Sequence, residues 1–199
     1  MKFQVKWLGK ILDEQDSVIY KRAYKSKSFV RNFATFLKCA FINSAWDVVT
    51  IDGASKNISW HHWYDYPGGG GGFGGRIWVN APEGDDSYGL VVGSSSQVFN
   101  KQDYTIYSKI PHGEGDPGTL YYRECIVDNI LESDRASVLI KRTFLNYTNS
   151  EAIYVREAGI VVKSFEGSRV LLVRDVFAQP FTVFPNKKLE LTAQLEVVL

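Results

Sequence analysis

Leu189, Leu191, Ala193, Leu195 and Val197 alternate with Glu190, Thr192, Gln194 and Glu196. A period of two is the repeat of an extended strand, so the first set faces a core and the second faces water. Apolar and β-branched runs of similar character recur upstream, at 88–92, 119–127, 136–145, 152–162 and 170–177. Turn formers separate them: Pro111-His112-Gly113-Glu114-Gly115-Asp116-Pro117-Gly118, Asn146-Tyr147-Thr148-Asn149-Ser150, Glu166-Gly167-Ser168 and Pro185-Asn186-Lys187-Lys188. Short strands at regular spacing, with no helix between them, predict an antiparallel sandwich or barrel and not a βαβ fold.

The earlier part of the chain has a different pattern. Phe3-Gln4-Val5-Lys6-Trp7-Leu8 and Ser17-Val18-Ile19-Tyr20 flank the polar Asp13-Glu14-Gln15-Asp16, which predicts a hairpin. Phe29, Val30, Phe33, Phe36, Leu37, Ala40 and Phe41 then recur at steps of three and four, lining one face of a helix predicted over 28–42. Ser26 or Ser28 can cap its start and Asn43 can end it. Its phenylalanine stripe packs either on the sheet or into a neighbouring subunit. Trp46-Asp47-Val48-Val49-Thr50-Ile51 predicts a strand closed by Asp52-Gly53, and Ile77-Trp78-Val79 predicts a short one.

Between these two lies Ser59-Trp60-His61-His62-Trp63-Tyr64-Asp65-Tyr66-Pro67, followed by seven glycines within 68–75 that only Phe73 interrupts. Ordering a backbone costs about 1–2 kcal/mol per residue, and glycine loses the most. Residues 67–75 are therefore expected to be mobile in the free protein. They become ordered against a partner surface, or they serve as a plain linker. Trp60, Trp63, Tyr66, Phe73 and Trp78 are the interface candidates around this segment. Exposed rings there can also stack on a glycan, or pack within the chain.

The expected fold is mainly β: an antiparallel β-sandwich, jelly-roll or immunoglobulin-like, with one N-terminal amphipathic helix. Residues 1–58 supply the hairpin, helix and strand, 59–85 the aromatic and glycine-rich insertion, and 86–199 the sandwich, in one compact domain. A chain of 199 residues suffices for one good core.

Composition narrows the function. Aromatic residues make up 14% of the chain, which suits half-buried β surfaces and contact surfaces. Lys and Arg number 23 against 22 Asp and Glu, so the basic excess of a protein that grips nucleic acid through phosphates is missing. No apolar run is long enough to span a bilayer, and no apolar stretch after Met1-Lys2 marks a secretory signal. Cys39 and Cys125 lack metal-type spacing and read as two buried thiols.

The candidate chemistries are weak. Gly70, Gly72 and Gly75 satisfy G-x-G-x-x-G, as any glycine tract does, but Ile77-Trp78-Val79-Asn80-Ala81-Pro82 is not the helix a dinucleotide site needs. His61 and His62 would point to opposite faces of a strand, and His112 is distant in sequence. Glu83, Asp85, Asp86, Glu114 and Asp116 lack EF-hand spacing, and Gly93-Ser94-Ser95-Ser96 lacks the second glycine of a nucleophile elbow. The expectation is a non-enzymatic protein with no metal and no cofactor. Arg142, Glu157, Arg174 and Asp175 lie inside apolar strands, where an unpaired charge is costly. They are expected to form structural ion pairs, or an inter-subunit lock across a symmetry axis.

Several runs carry a resemblance. Gly89-Leu90-Val91-Val92-Gly93, then Asp103-Tyr104 and Pro111-His112-Gly113, resemble the opening of a β-sandwich module of tailed-bacteriophage structural proteins. Arg142-Thr143-Phe144-Leu145-Asn146, Ile153-Tyr154-Val155-Arg156-Glu157-Ala158-Gly159-Ile160 and Leu171-Leu172-Val173-Arg174-Asp175-Val176 continue it. Phe181-Thr182-Val183 with Leu189-Glu190-Leu191-Thr192 fits its end, and Ser28-Phe29-Val30-Arg31-Asn32-Phe33 is similar to a segment that precedes it. The resemblance covers roughly two-thirds of the chain, and the insertion around 60–75 departs from it. It implies a structural protein of the virion, at the capsid, neck or tail, with other virion proteins or further copies of itself as partners. Nucleic acid and membrane are not expected as direct partners. The alternative is a host-adhesion module at the phage surface that binds carbohydrate.

Overall fold

The computed structural model describes residues 2–26, 28–42, 46–58, 77–131, 135–164 and 166–198. The predicted hairpin is present as β1 (Lys2–Leu12) and β2 (Val18–Ser26), paired antiparallel. The Asp13 carboxylate accepts the N–H groups of Gln15 and Ser17, and Asp16 adopts a left-handed φ of 63°. This is the local turn chemistry that short acidic side chains provide.

The hairpin is part of the sandwich and not an appendage to it. β1 pairs along its whole length with β11 (Lys188–Val198), from Lys2 opposite Val198 to Leu12 opposite Lys188. β11 pairs with β8 (Arg135–Leu145), and β8 with β7 (Tyr121–Leu131). The result is a five-stranded antiparallel sheet in the order β2-β1-β11-β8-β7. Residues 86–199 thus do not close the sandwich by themselves, contrary to the sequence division at 86.

The second sheet is built on β9 (Ile153–Ser164). It pairs with β10 (Arg169–Val183) on one side, and with β5 (Ile77–Trp78) and β6 (Gly89–Gly93) in turn on the other. All of these pairings are antiparallel, and the two sheets form a β-sandwich-like body. Val5, Trp7, Ile140, Phe144, Leu189, Leu191 and Ala193 from the five-stranded sheet join Leu90, Val155, Ile160, Leu171, Val173 and Phe181 in one core. The contact between sheets is close at Gly9, where a Cβ would lie 2.2 Å from the Phe181 ring.

The pattern of β9 and β10 differs from that of β11 for a physical reason. Consecutive residues Ile160, Val161 and Val162, and 170–173, are buried, so these strands are covered on both faces. A strand covered on both faces needs a continuous apolar run, not an alternating one. The second cover is α1 (Arg31–Ile42), the ribbon of β3 (Trp46–Val49) with β4 (Ser55–Ile58), and the loop over 94–110. Val30 N–H donates to the Leu172 carbonyl at 3.1 Å, and the Asn32 amide makes two bonds to the backbone of Val49. Phe29, Phe33 and Phe36 pack against the core, so these three rings of the stripe lie on this chain's own sheet.

The helix is not N-terminal, because β1 and β2 precede it. It begins at Arg31 and not at 28, and Ser28 does not cap it: the Ser28 hydroxyl donates to Asp175 Oδ1 at 2.9 Å. Cys125 is a buried free thiol, and burial pushes its pKa up. The side chain of Cys39 and the whole of 59–76, with its glycine run, lie outside the described residues.

Candidate functional site

Arg174 projects from β10 under the 94–110 loop and is fully buried. Its Nε donates to Glu157 Oε2, its Nη1 to Asp103 Oδ2 and its Nη2 to the Gln97 carbonyl, each at 2.8 Å. The guanidinium also lies 4.7 Å from the Tyr107 ring centroid. Both carboxylates are further satisfied: Ser108 N–H donates to Glu157, while Asn100 N–H and the Tyr107 hydroxyl donate to Asp103. Gly93 sits opposite Glu157, and a Cβ there would come within 2.6 Å of Glu157 Oε1. Glu157 and Arg174 were identified in the sequence. Asp103 enters there only through the Asp103-Tyr104 run of the resemblance and not as a charge partner, because a single acid in an irregular loop carries no periodic signal.

Arg142 is the other buried guanidinium, and the ion-pair expectation for it is corrected. Its five hydrogen bonds go to the backbone carbonyls of Arg123, Tyr88, Leu90, Pro82 and Asp85, at 2.7–3.3 Å. Its guanidinium packs 4.8 Å from the Tyr122 ring centroid. Carbonyl dipoles and a ring face replace its hydration shell, and burial holds its pKa below the usual arginine value.

Asp175 also differs from the expected ion pair. Its carboxylate accepts from Trp7 Nε1 at 2.7 Å and from the Ser28 hydroxyl, which ties β1 and the approach to α1 onto β10. Burial pushes its pKa up, and the donors from Ser26, Trp7 and Ser28 offset only part of that effect. An acid whose folded pKa is raised favours folding most when protonated. Its contribution therefore falls as pH rises from about 4, the unfolded carboxyl range. Asp175→Asn keeps an oxygen acceptor for Trp7 and removes the titration. Urea unfolding between pH 4 and 7 is expected to show wild-type stability declining relative to this variant; a constant difference would refute the assignment.

Three of the loop acids are engaged in turns and pairs. Asp86 accepts from Lys109 Nζ and His112 N–H, Glu83 pairs with Arg123, and Asp85 accepts from Ser87. His112 Nδ1 accepts the Tyr122 N–H at 3.1 Å. Among the described residues, no three His, Cys, Asp or Glu side chains converge as metal ligands. No described helix is long and apolar enough to cross a membrane.

The surface carries a separate feature, which is the far end of β7. The loop at 81–84 covers the first half of this edge strand: Cys125 N–H donates to the Ala81 carbonyl and Gly84 N–H to the Tyr122 carbonyl. Beyond Cys125 no described strand pairs with the outer edge of β7, and Ile126, Val127, Ile130 and Leu131 are exposed, Leu131 at 76%. Val138 on the neighbouring strand extends the patch. An open edge with apolar residues on both faces is a template for another strand. Of the five interface residues expected from the sequence, Trp78 is half-buried in β5 and packs on the core, paired with Lys163. Trp60, Trp63, Tyr66 and Phe73 lie outside the described residues.

The chain matches no protein-family model, no curated protein and no solved structure.

Proposed function

We propose that this protein is a non-catalytic structural component of a tailed-bacteriophage virion, acting through protein–protein contacts at the capsid, neck or tail. The observation that carries this reading is the exposed apolar edge of β7, an assembly surface on a body whose buried charges are spent on its own fold. Arg174, Glu157, Asp103 and Arg142 each have their polar atoms directed to structural partners. The runs that resemble the phage module supply β6, β8, β9, β10 and the start of β11, the strands around this core. Within the sandwich class the arrangement favours a jelly roll. β8 and β11 pair in one sheet while the intervening β9 and β10 pair in the other, which is a ribbon wrapped across two layers.

The test is to propagate the phage that encodes the chain, purify its particles on a density gradient and quantify the protein by mass spectrometry. Stoichiometric, multi-copy recovery with the particles is the expected result. Recovery only in the soluble lysate would overturn the proposal.

A further inference from the structure

The five-stranded sheet has two edges of opposite character. The exposed half of β7 and its approach, residues 124–131, contain Glu124 and Asp128 and no cation. The other edge, β2, contains Lys21, Arg22 and Lys25 and no anion. Both edges also expose apolar side chains, with Ile126 at 51% and Leu131 at 76% on one, Val18 at 55% and Ile19 at 58% on the other. Edge strands are usually guarded by charge against pairing with their own kind. Here two β2 edges would bring cations together and two β7 edges would bring acids together. A β2 edge against a β7 edge meets neither obstacle.

We infer that copies of this protein assemble head to tail, the open half of β7 in one subunit pairing with β2 of the next to continue the five-stranded sheet. Topology sets the geometry. Four successive antiparallel pairings leave β2 and β7 running in the same direction. A neighbour that keeps the same sheet face inward therefore joins as a parallel pair.

The side chains set the register. Lys10 and Lys141 both bond Glu190, so they share the outer face of the sheet. Lys21 lies opposite Lys10 and Ile126 opposite Lys141, which puts Lys21, Ile126 and Asp128 on that face as well. Pairing 126–131 with 19–24 sets Asp128 beside Lys21, Ile126 beside Ile19, and Leu131 beside Tyr24. It also begins where the cover from the 81–84 loop ends. Such a contact is heterologous, so it closes into a ring or propagates as a filament.

The inference rests on the structural-protein reading and deepens it by naming the partner as a second copy. Asp128→Lys and Lys21→Asp each change one exposed residue and leave the core intact. Sedimentation velocity across a concentration series is expected to show wild-type oligomers beyond the dimer. Each single reversal should weaken association about tenfold, because like charges then meet across the joint. An equimolar mixture of the two variants, or the double variant, should recover association to within about threefold of wild type. Recovery also establishes that both variants are folded.

A wild-type protein that stays monomeric overturns the inference. So does an oligomer that Lys21→Asp leaves unchanged, since that outcome means β7 pairs with itself or that another surface is used. Particle composition distinguishes the two proposals. A monomer recovered stoichiometrically in particles refutes only the head-to-tail joint, whereas an oligomer absent from particles refutes the virion role.

Discussion

Replacing Arg174 by methionine is expected to destabilise the protein by about 3–5 kcal/mol, the range for removing one partner of a buried ion pair. Methionine fills much of the arginine stem volume, so the loss comes from charge and hydrogen bonding. Glu157 and Asp103 would be left as two buried carboxylates facing each other across the vacated guanidinium site, and the Gln97 carbonyl would lose its donor.

Combining Arg174→Met with Glu157→Gln and Asp103→Asn removes every charge of the cluster. It should restore a substantial part of the loss, because a neutral cluster has no uncompensated charge. Denaturant unfolding at pH 7 measures all of these. A loss below about 1 kcal/mol for Arg174→Met would mean that the cluster behaves like an exposed pair.

Much of the strand framework was legible in the sequence, because period-two alternation and glycine- or proline-rich turns are local signals. β11 is the clearest case: Leu189, Leu191 and Ala193 face the core as the alternation predicts. The continuous runs in β9 and β10 also marked strands, and the structure supplies the reason they do not alternate. What local pattern could not give was pairing between distant elements. Nothing within residues 2–12 indicates that β1 inserts between β2 and β11, since that contact joins opposite ends of the chain. The division at 86 failed for this reason.

The candidate site was legible in part for the same reason. Arg174 and Glu157 stand out as charges in apolar strands, but their third partner, Asp103, is a loop residue about seventy positions away in sequence. Arg142 stood out equally, and its partners are carbonyls, which every residue carries and no sequence pattern marks. The open edge of β7 has no sequence signature, because exposure at Ile126–Leu131 depends on where the 81–84 loop stops covering the strand.

That loop is held by Arg142, whose replacement is the second large effect expected. Arg142→Met removes donors to five carbonyls while keeping an apolar stem beside Tyr122. Each buried acceptor left without a partner costs about 1–3 kcal/mol, and relaxation of the loop limits the sum, so a loss of about 3–5 kcal/mol is expected. Arg142→Lys should fall between, because an ammonium has three donors and cannot reach five carbonyls arranged around a planar fork.

The position of the damage is as informative as its size. Pro82 and Asp85 belong to the segment that crosses the β7 edge, and Tyr88 and Leu90 carry it on into β6, so losing their common donor should free the crossing segment first. Hydrogen exchange should accelerate at Cys125, whose N–H donates to Ala81, while the β1–β11 ladder stays protected. With the cover loosened, the open edge would lengthen toward Tyr121 and pairing between copies would lose its fixed starting point. The variant should therefore form larger and less uniform assemblies than wild type at equal concentration, as light scattering would report. Uniform exchange across both sheets would show instead that Arg142 supports the whole core and has no special part in setting where the edge begins.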